Sequence, residues 1–189
     1  MPACAPPMNL PLGLRVPWLV RSRAPEWLIV IGSSVFILVL IVSAIWDPSI
    51  RWLHFFQAWM YLAAMWLCLR RNLWGYFIGL SAAGLWVYSN LFVTTFFVNG
   101  LQQLALWIRS GHLDRPDLLI AVPAWLANLL VVIGSTWGYL QTRHKDIRDL
   151  GRLAVSFALT TGFFALDMAV FQPRYLGIFP HLLHPRLRW

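Results

Sequence analysis

Apolar positions along this chain come in long blocks rather than in alternation. Residues 27–46 carry no charged side chain, and further apolar blocks cover 52–69, 73–98, 118–141 and 153–166. A helix needs about 20 apolar residues to cross a hydrocarbon core. The pattern therefore predicts an all-α, polytopic transmembrane helical bundle of about five spans. Residues 1–25 form a leading tail, 26–172 the bundle and 173–189 a basic tail.

The ends of these blocks carry helix signals. Pro25 suits a first helical turn and Glu26 suits the positive end of the helix dipole. Asp47-Pro48 reads as an N-cap followed by proline at the first helical position. Asp114 is the expected cap of the fourth span, in which Pro123 falls early, and Pro173 stops the fifth. Residues 72–108 hold 37 positions without a formal charge. As one helix they would run about 56 Å, nearly twice the hydrocarbon thickness. The expectation is a span to about Val98 that continues as an interfacial helix anchored by Trp107, with a re-entrant hairpin as the alternative.

Composition agrees. Hydrophobic residues make up 59% of the chain and charged residues 12%, about half the charge content of a soluble domain. Mean hydropathy is +0.64. The net charge of +8 does not indicate nucleic acid, because the basic residues sit at block ends, where they anchor helices and set orientation. Nine of them fall on the side shared by the N-terminus, the second-to-third loop and the fourth-to-fifth loop; the other loops hold three and the tail three more. That asymmetry places the N-terminus in the cytoplasm. Fourteen of fifteen basic residues are arginine, as in GC-rich bacterial genomes, so the expected location is a bacterial inner membrane. Residues 1–25 lack the form of a signal peptide, and 10–20 read as an interfacial segment.

Three helices carry polar faces. On the third, Ser81, Gly84, Tyr88, Thr95, Asn99 and Gln102 fall within about 40° of one direction. Asn128, Ser135 and Thr142 repeat this on the fourth, and Ser156, Thr160 and Asp167 on the fifth. Such faces line a ligand pocket or path, or they supply interhelical hydrogen bonds. Asp167 is the one acid well inside an expected span, the fifth helix running to about Phe171; it reads as a relay or ligand contact, or as the partner of Arg174 or Arg51. Opposite the stripe, Gly75, Gly79 and Ala83 recur every four residues, a spacing that lets helices approach closely. They pack within the chain, or form a dimer face.

Twelve tryptophans divide into span-end belt residues and deeper ones: Trp59, Trp66, Trp86, Trp125 and Trp137. Buried indoles stack on planar ligands or fill space. Tyr88, Thr95, Asn99, Asn128, Asp167, Trp86 and Trp137 are thus the candidate ligand-binding set. His54 stands alone, His181 and His184 lack a third ligand, and Cys4 and Cys68 form neither framework nor cluster, so no metal or cofactor is expected. Residues 72–79 (Asn-Leu-Trp-Gly-Tyr-Phe-Ile-Gly), with Tyr88 and Gln102-Gln103, faintly resemble the aromatic-rich helices of vitamin and nucleoside carriers of the nicotinamide riboside type. The likeness covers one helix in five, without that group's second aromatic signature, and assigns no family. Two functional classes follow: an accessory or scaffold subunit bound to other membrane subunits or to itself, and a carrier or binder of a small, vitamin- or nucleoside-like molecule. A membrane enzyme would need an acid–base cluster, for which only Asp167 and His54 are available.

Overall fold

The computed structural model describes residues 22–142, 145–177 and 180–181. The interfacial segment expected over 10–20, Cys4, His184 and the tail arginines Arg186 and Arg188 lie outside these residues. The described chain is all-helical: α1 (Ala24–Trp46), α2 (Arg51–Leu69), α3 (Leu73–Tyr88), α4 (Phe96–Ser110), α5 (Ala121–Leu140) and α6 (Arg148–Phe171). Five helical segments are long and apolar enough to cross a membrane: Ala24–Trp46, Pro48–Leu69, Leu73–Val93, Pro116–Leu140 and Arg148–Phe171. The protein is an integral membrane protein with an α-helical bundle fold.

Successive spans run antiparallel. α1 begins, α2 ends, α3 begins, α5 ends and α6 begins at one end of the bundle, called here the N-terminal face. The opposite end is the far face. α1 packs mainly on α5, α3 lies between α2 and α5, and α6 closes the bundle against α3 and α2. Small residues permit these contacts. A Cβ on Gly32 would stand 2.5 Å from the Ala127 carbonyl, and one on Gly75 would stand 2.5 Å from the Cys68 amide. Gly79 meets Ser135 and Ala64, and Ala83 is fully buried. The small-residue row of α3 is therefore used inside the bundle. At the N-terminal face, buried Glu26 accepts a hydrogen bond from Tyr76 Oη at 2.8 Å and lies 3.5 Å from the Arg71 guanidinium. Arg71 adopts a left-handed backbone (φ 54°) in the short α2–α3 turn. Glu26 thus ties α1 to α3 and to the α2–α3 turn, beyond the dipole role its position implies.

Two sequence expectations are corrected. The third span does not run on to Val98. A π-helical turn (Ser89–Val93) widens its last turn, and Thr95, at φ 54°, breaks the chain into the left-handed region. α4 then starts as a separate amphipathic helix. It seats Gly100 on the Leu118 carbonyl and Ala121, stacks Phe97 on Trp125 at 4.4 Å and leaves Trp107 and Ile108 exposed. Asp114 does not cap the fourth span. It pairs with His112 at 3.2 Å, while Arg115 binds Asp117 at 2.7 Å. Asp47 does cap the second span, accepting from the Ser49 amide at 3.0 Å and its hydroxyl at 2.6 Å. Those bonds hold its carboxyl below the ordinary range, with smaller help from Arg174.

Candidate functional site

The far face is hollow. A cleft of about 570 Å³ lies between the end of α1, the start of α2, the π turn and the start of the fourth span. Asp47, Arg115, Asp117 and Tyr175 stand among its lining groups; deeper come His54, Gln57, Asn90, Phe36 and Trp86. A second cavity of about 120 Å³ shares Phe36, Gln57, Trp86 and Asn90 with the first and adds Tyr61, Phe164 and Met168. The two are adjacent across these shared walls, are called here the vestibule, and reach the middle of α1, where Phe36 lies.

Its walls are built by helix geometry. His54, Gln57 and Tyr61 recur at three- and four-residue spacing on α2, so they stack down one face. The His54 Nδ1 lies 3.1 Å from the Leu40 carbonyl. A carbonyl only accepts, so Nδ1 carries the proton and, in the neutral ring, Nε2 is left as an acceptor. Tyr61 donates to Asn128 Oδ1 at 2.6 Å and packs on Phe36 at 4.5 Å. Trp86 meets Phe36 edge-on at 5.1 Å. Asn90 sits in the π turn; its Nδ2 donates to the Trp86 carbonyl at 2.9 Å and its Oδ1 accepts from Thr94 at 3.3 Å. π turns are often found at functional sites because they turn one side chain out of register with the helix. The charges at the mouth neutralise one another. Arg115 pairs with Asp117, which raises its pKa, and Arg174 approaches Asp47 at 3.9 Å. The resulting wall is aromatic and amide-bearing, with no unbalanced charge, and suits a flat, partly polar molecule held by stacking and hydrogen bonds.

Of the residues proposed from sequence, Trp86 lines the vestibule. Asn128 is buried and committed, accepting from Tyr61 and donating to the Ala124 carbonyl at 2.8 Å. Tyr88 packs on Phe92 at 5.3 Å, and Thr95 donates to the Thr94 carbonyl at 2.7 Å. Neither these two nor Asn99 is among the described lining residues; for Asn99 the π turn and the break at Thr95 turn α4 out of the phase of the α3 stripe. Trp137 is 40% exposed, and Trp59 and Trp66 also face outward. Asp167 is buried, with neither carboxylate oxygen hydrogen-bonded. The pairing expected with Arg174 or Arg51 is not formed. Arg174 instead reaches Asp47 and Ser49.

Sequence reasoning passed over Gln57 and Asn90. Gln57 sits one turn after His54, and that spacing was the available signal. Asn90 had none, since no residue pattern marks the π turn that places it. Among the described residues no group of three metal-ligating side chains forms. No protein-family model matches the chain, and no curated protein or solved structure is detectably similar to it.

Proposed function

We propose that this membrane protein binds a small, flat, partly polar molecule in the far-face vestibule. One observation carries the reading: the mouth cleft and the inner cavity lie side by side and share Phe36, Gln57, Trp86 and Asn90 in their walls. The volume lies within the range of about 300–1,000 Å³ for small-molecule sites. Gln57 offers an amide donor and acceptor, His54 offers Nε2, and Phe36 with Trp86 offers ring surface. A vitamin- or nucleoside-like ligand matches that chemistry. The basic residues favour an N-terminus in the cytoplasm of a bacterial inner membrane, so the vestibule opens away from the cytoplasm.

A second reading, an accessory subunit, rests on α2. Trp52, Phe55, Trp59, Leu62 and Trp66 form an outward row at alternating three- and four-residue spacing, each at least 41% exposed. That spacing is the seam of two packed helices, and lipid covers the same surface equally well.

Native mass spectrometry of protein extracted gently from its own membrane separates the readings. A small bound mass that disappears when Trp86→Ala and Gln57→Leu are combined supports the vestibule. Other polypeptides bound in fixed ratio, with no small mass, support the subunit.

A further inference from the structure

The bundle holds a second polar feature, separate from the mouth of the vestibule. Along α6, Asp149, Ser156, Thr160 and Asp167 follow one another at spacings of seven, four and seven residues, within about 40° of one direction at 100° per residue. All four are buried. Asp149 and Asp167 are 18 residues apart, so the row spans about 27 Å, close to the full hydrocarbon thickness. The hydroxyls of Ser156 and Thr160, and both oxygens of Asp167, have no hydrogen-bond partner. Across from them on α3, the Ser81 hydroxyl is buried and equally unpartnered. Buried polar groups are ordinarily satisfied, so a run of exceptions on one seam requires explanation.

Space accompanies the row. A cavity of about 320 Å³ at the N-terminal face is lined by Asp149, Asp146, Tyr139 and Ser135. It shares Leu80, Leu150 and Leu153 with a groove of about 390 Å³ that reaches Ser81 and Gly84. That groove shares Leu85 with the inner cavity, which Phe164 and Met168 line on either side of Asp167 in sequence. Asp149 and Ser81 line these spaces, where a water finds room and a polar partner; Ser156, Thr160 and Asp167 are buried in the packing between them. An unpaired carboxylate at this depth is costly.

We propose that the α3–α6 seam is a proton path and that Asp167 is its carrier near the far face. The acid gives its O–H proton to water or a hydroxyl on one side. It is reprotonated from the other, and no other bond changes. The elements packed on α6 hold few competing groups. α3 carries only Tyr76 and Tyr88 among titratable residues. α2 carries Arg51 and His54 in its far half, with His54 bound to Leu40. The turn after α6 carries Arg174, engaged by Asp47 and Ser49, and Tyr175. At the N-terminal end Asp149 is held by Arg152 at 2.7 Å and by Tyr139 at 3.4 Å.

The test needs no ligand, so it stands apart from the vestibule reading. Purified protein is reconstituted in liposomes containing a pH-sensitive dye and a potassium gradient, and valinomycin sets the membrane potential. Wild type should take up protons faster than protein-free vesicles. Asp167→Asn should fall to the vesicle level, Thr160→Val should fall severalfold and Ile108→Ala, at an exposed position of α4, should leave the flux unchanged. Flux equal to that of empty vesicles, or Asp167→Asn and Thr160→Val both conducting like wild type, overturns the proposal. Should Asp167→Asn fail to fold, Thr160→Val still decides the flux. Infrared spectroscopy of wild type near neutral pH then decides the carrier. A protonated carboxylic acid band supports Asp167; no such band overturns it.

Discussion

At the scale of single residues, the groups that look most functional in the chain divide by whether their hydrogen bonds are already used. Asn128 lies deep in a span, yet Tyr61 and the Ala124 carbonyl engage it from both ends of its amide. It is packing. Tyr61→Phe removes one donor and leaves a buried amide oxygen unpaired; the expected loss of stability is about 1 kcal/mol, above the mean of about 0.6 kcal/mol for such bonds inside membranes because the oxygen is left buried. Unfolding in mixed detergent measures it, and ligand retention should be little changed. Asp167, by contrast, has no bond to lose. Asp47 shows how a cap registers as a titration. Ser49 donates two hydrogen bonds to the ionised carboxyl, so its folded pKa lies below the ordinary 3.8. The cap's stabilisation is therefore complete above 3.8 and is lost as pH falls through the lower folded value. A carbon-detected NMR titration should place Asp47 below 3.8, and Ser49→Ala should move it back toward 3.8.

At the scale of elements, the spans are legible because lipid imposes length and hydropathy directly, and block ends coincide with helix ends to within a few residues. The capped turn at Asp47 and the small row at Gly75, Gly79 and Ala83 are legible for similar reasons. Each rests on local chemistry that tertiary contacts do not override. The end of the third span is not. A constant 100° per residue carried the polar stripe through Asn99 and Gln102, and the π turn at 89–93 with the left-handed Thr95 breaks that phase. The vestibule was hidden with it, because Asn90 enters the wall only through that turn. Deep tryptophans misled for another reason: periodicity gives spacing on a helix but not which face meets a neighbour, and Trp59 and Trp66 lie on the outer face of α2. Thr95 also carries a testable strain. A β-branched residue at φ 54° costs about 1–2 kcal/mol. Thr95→Gly should therefore raise stability by about 1 kcal/mol in the same unfolding assay, less the backbone freedom glycine restores to the unfolded chain.

At the scale of the whole molecule, the bundle has two unlike ends. At the N-terminal face α1, α3 and α5 are tightly packed, since a Cβ on Gly138 would collide with the Tyr76 ring and Glu26 ties α1 to α3, and the cavity there lies to the side, against the start of α6. The far face is open, with α4 packed along the start of the fourth span and the vestibule beside it. A vestibule that opens on the side away from the basic residues is the central claim, and the sidedness of chemical labelling tests it most directly. In a background with Cys4→Ser and Cys68→Ser, single cysteines replace Asp47, Arg115 or Tyr175 at the mouth, and Arg70 or Lys145 at the N-terminal face. A membrane-impermeant maleimide is applied to cells with an opened outer envelope and then to inverted vesicles. The account predicts that the three mouth positions label in cells with an opened outer envelope and that Arg70→Cys and Lys145→Cys label only in inverted vesicles. Labelling of both sets from one side, or of the mouth from the cytoplasmic side alone, would contradict it.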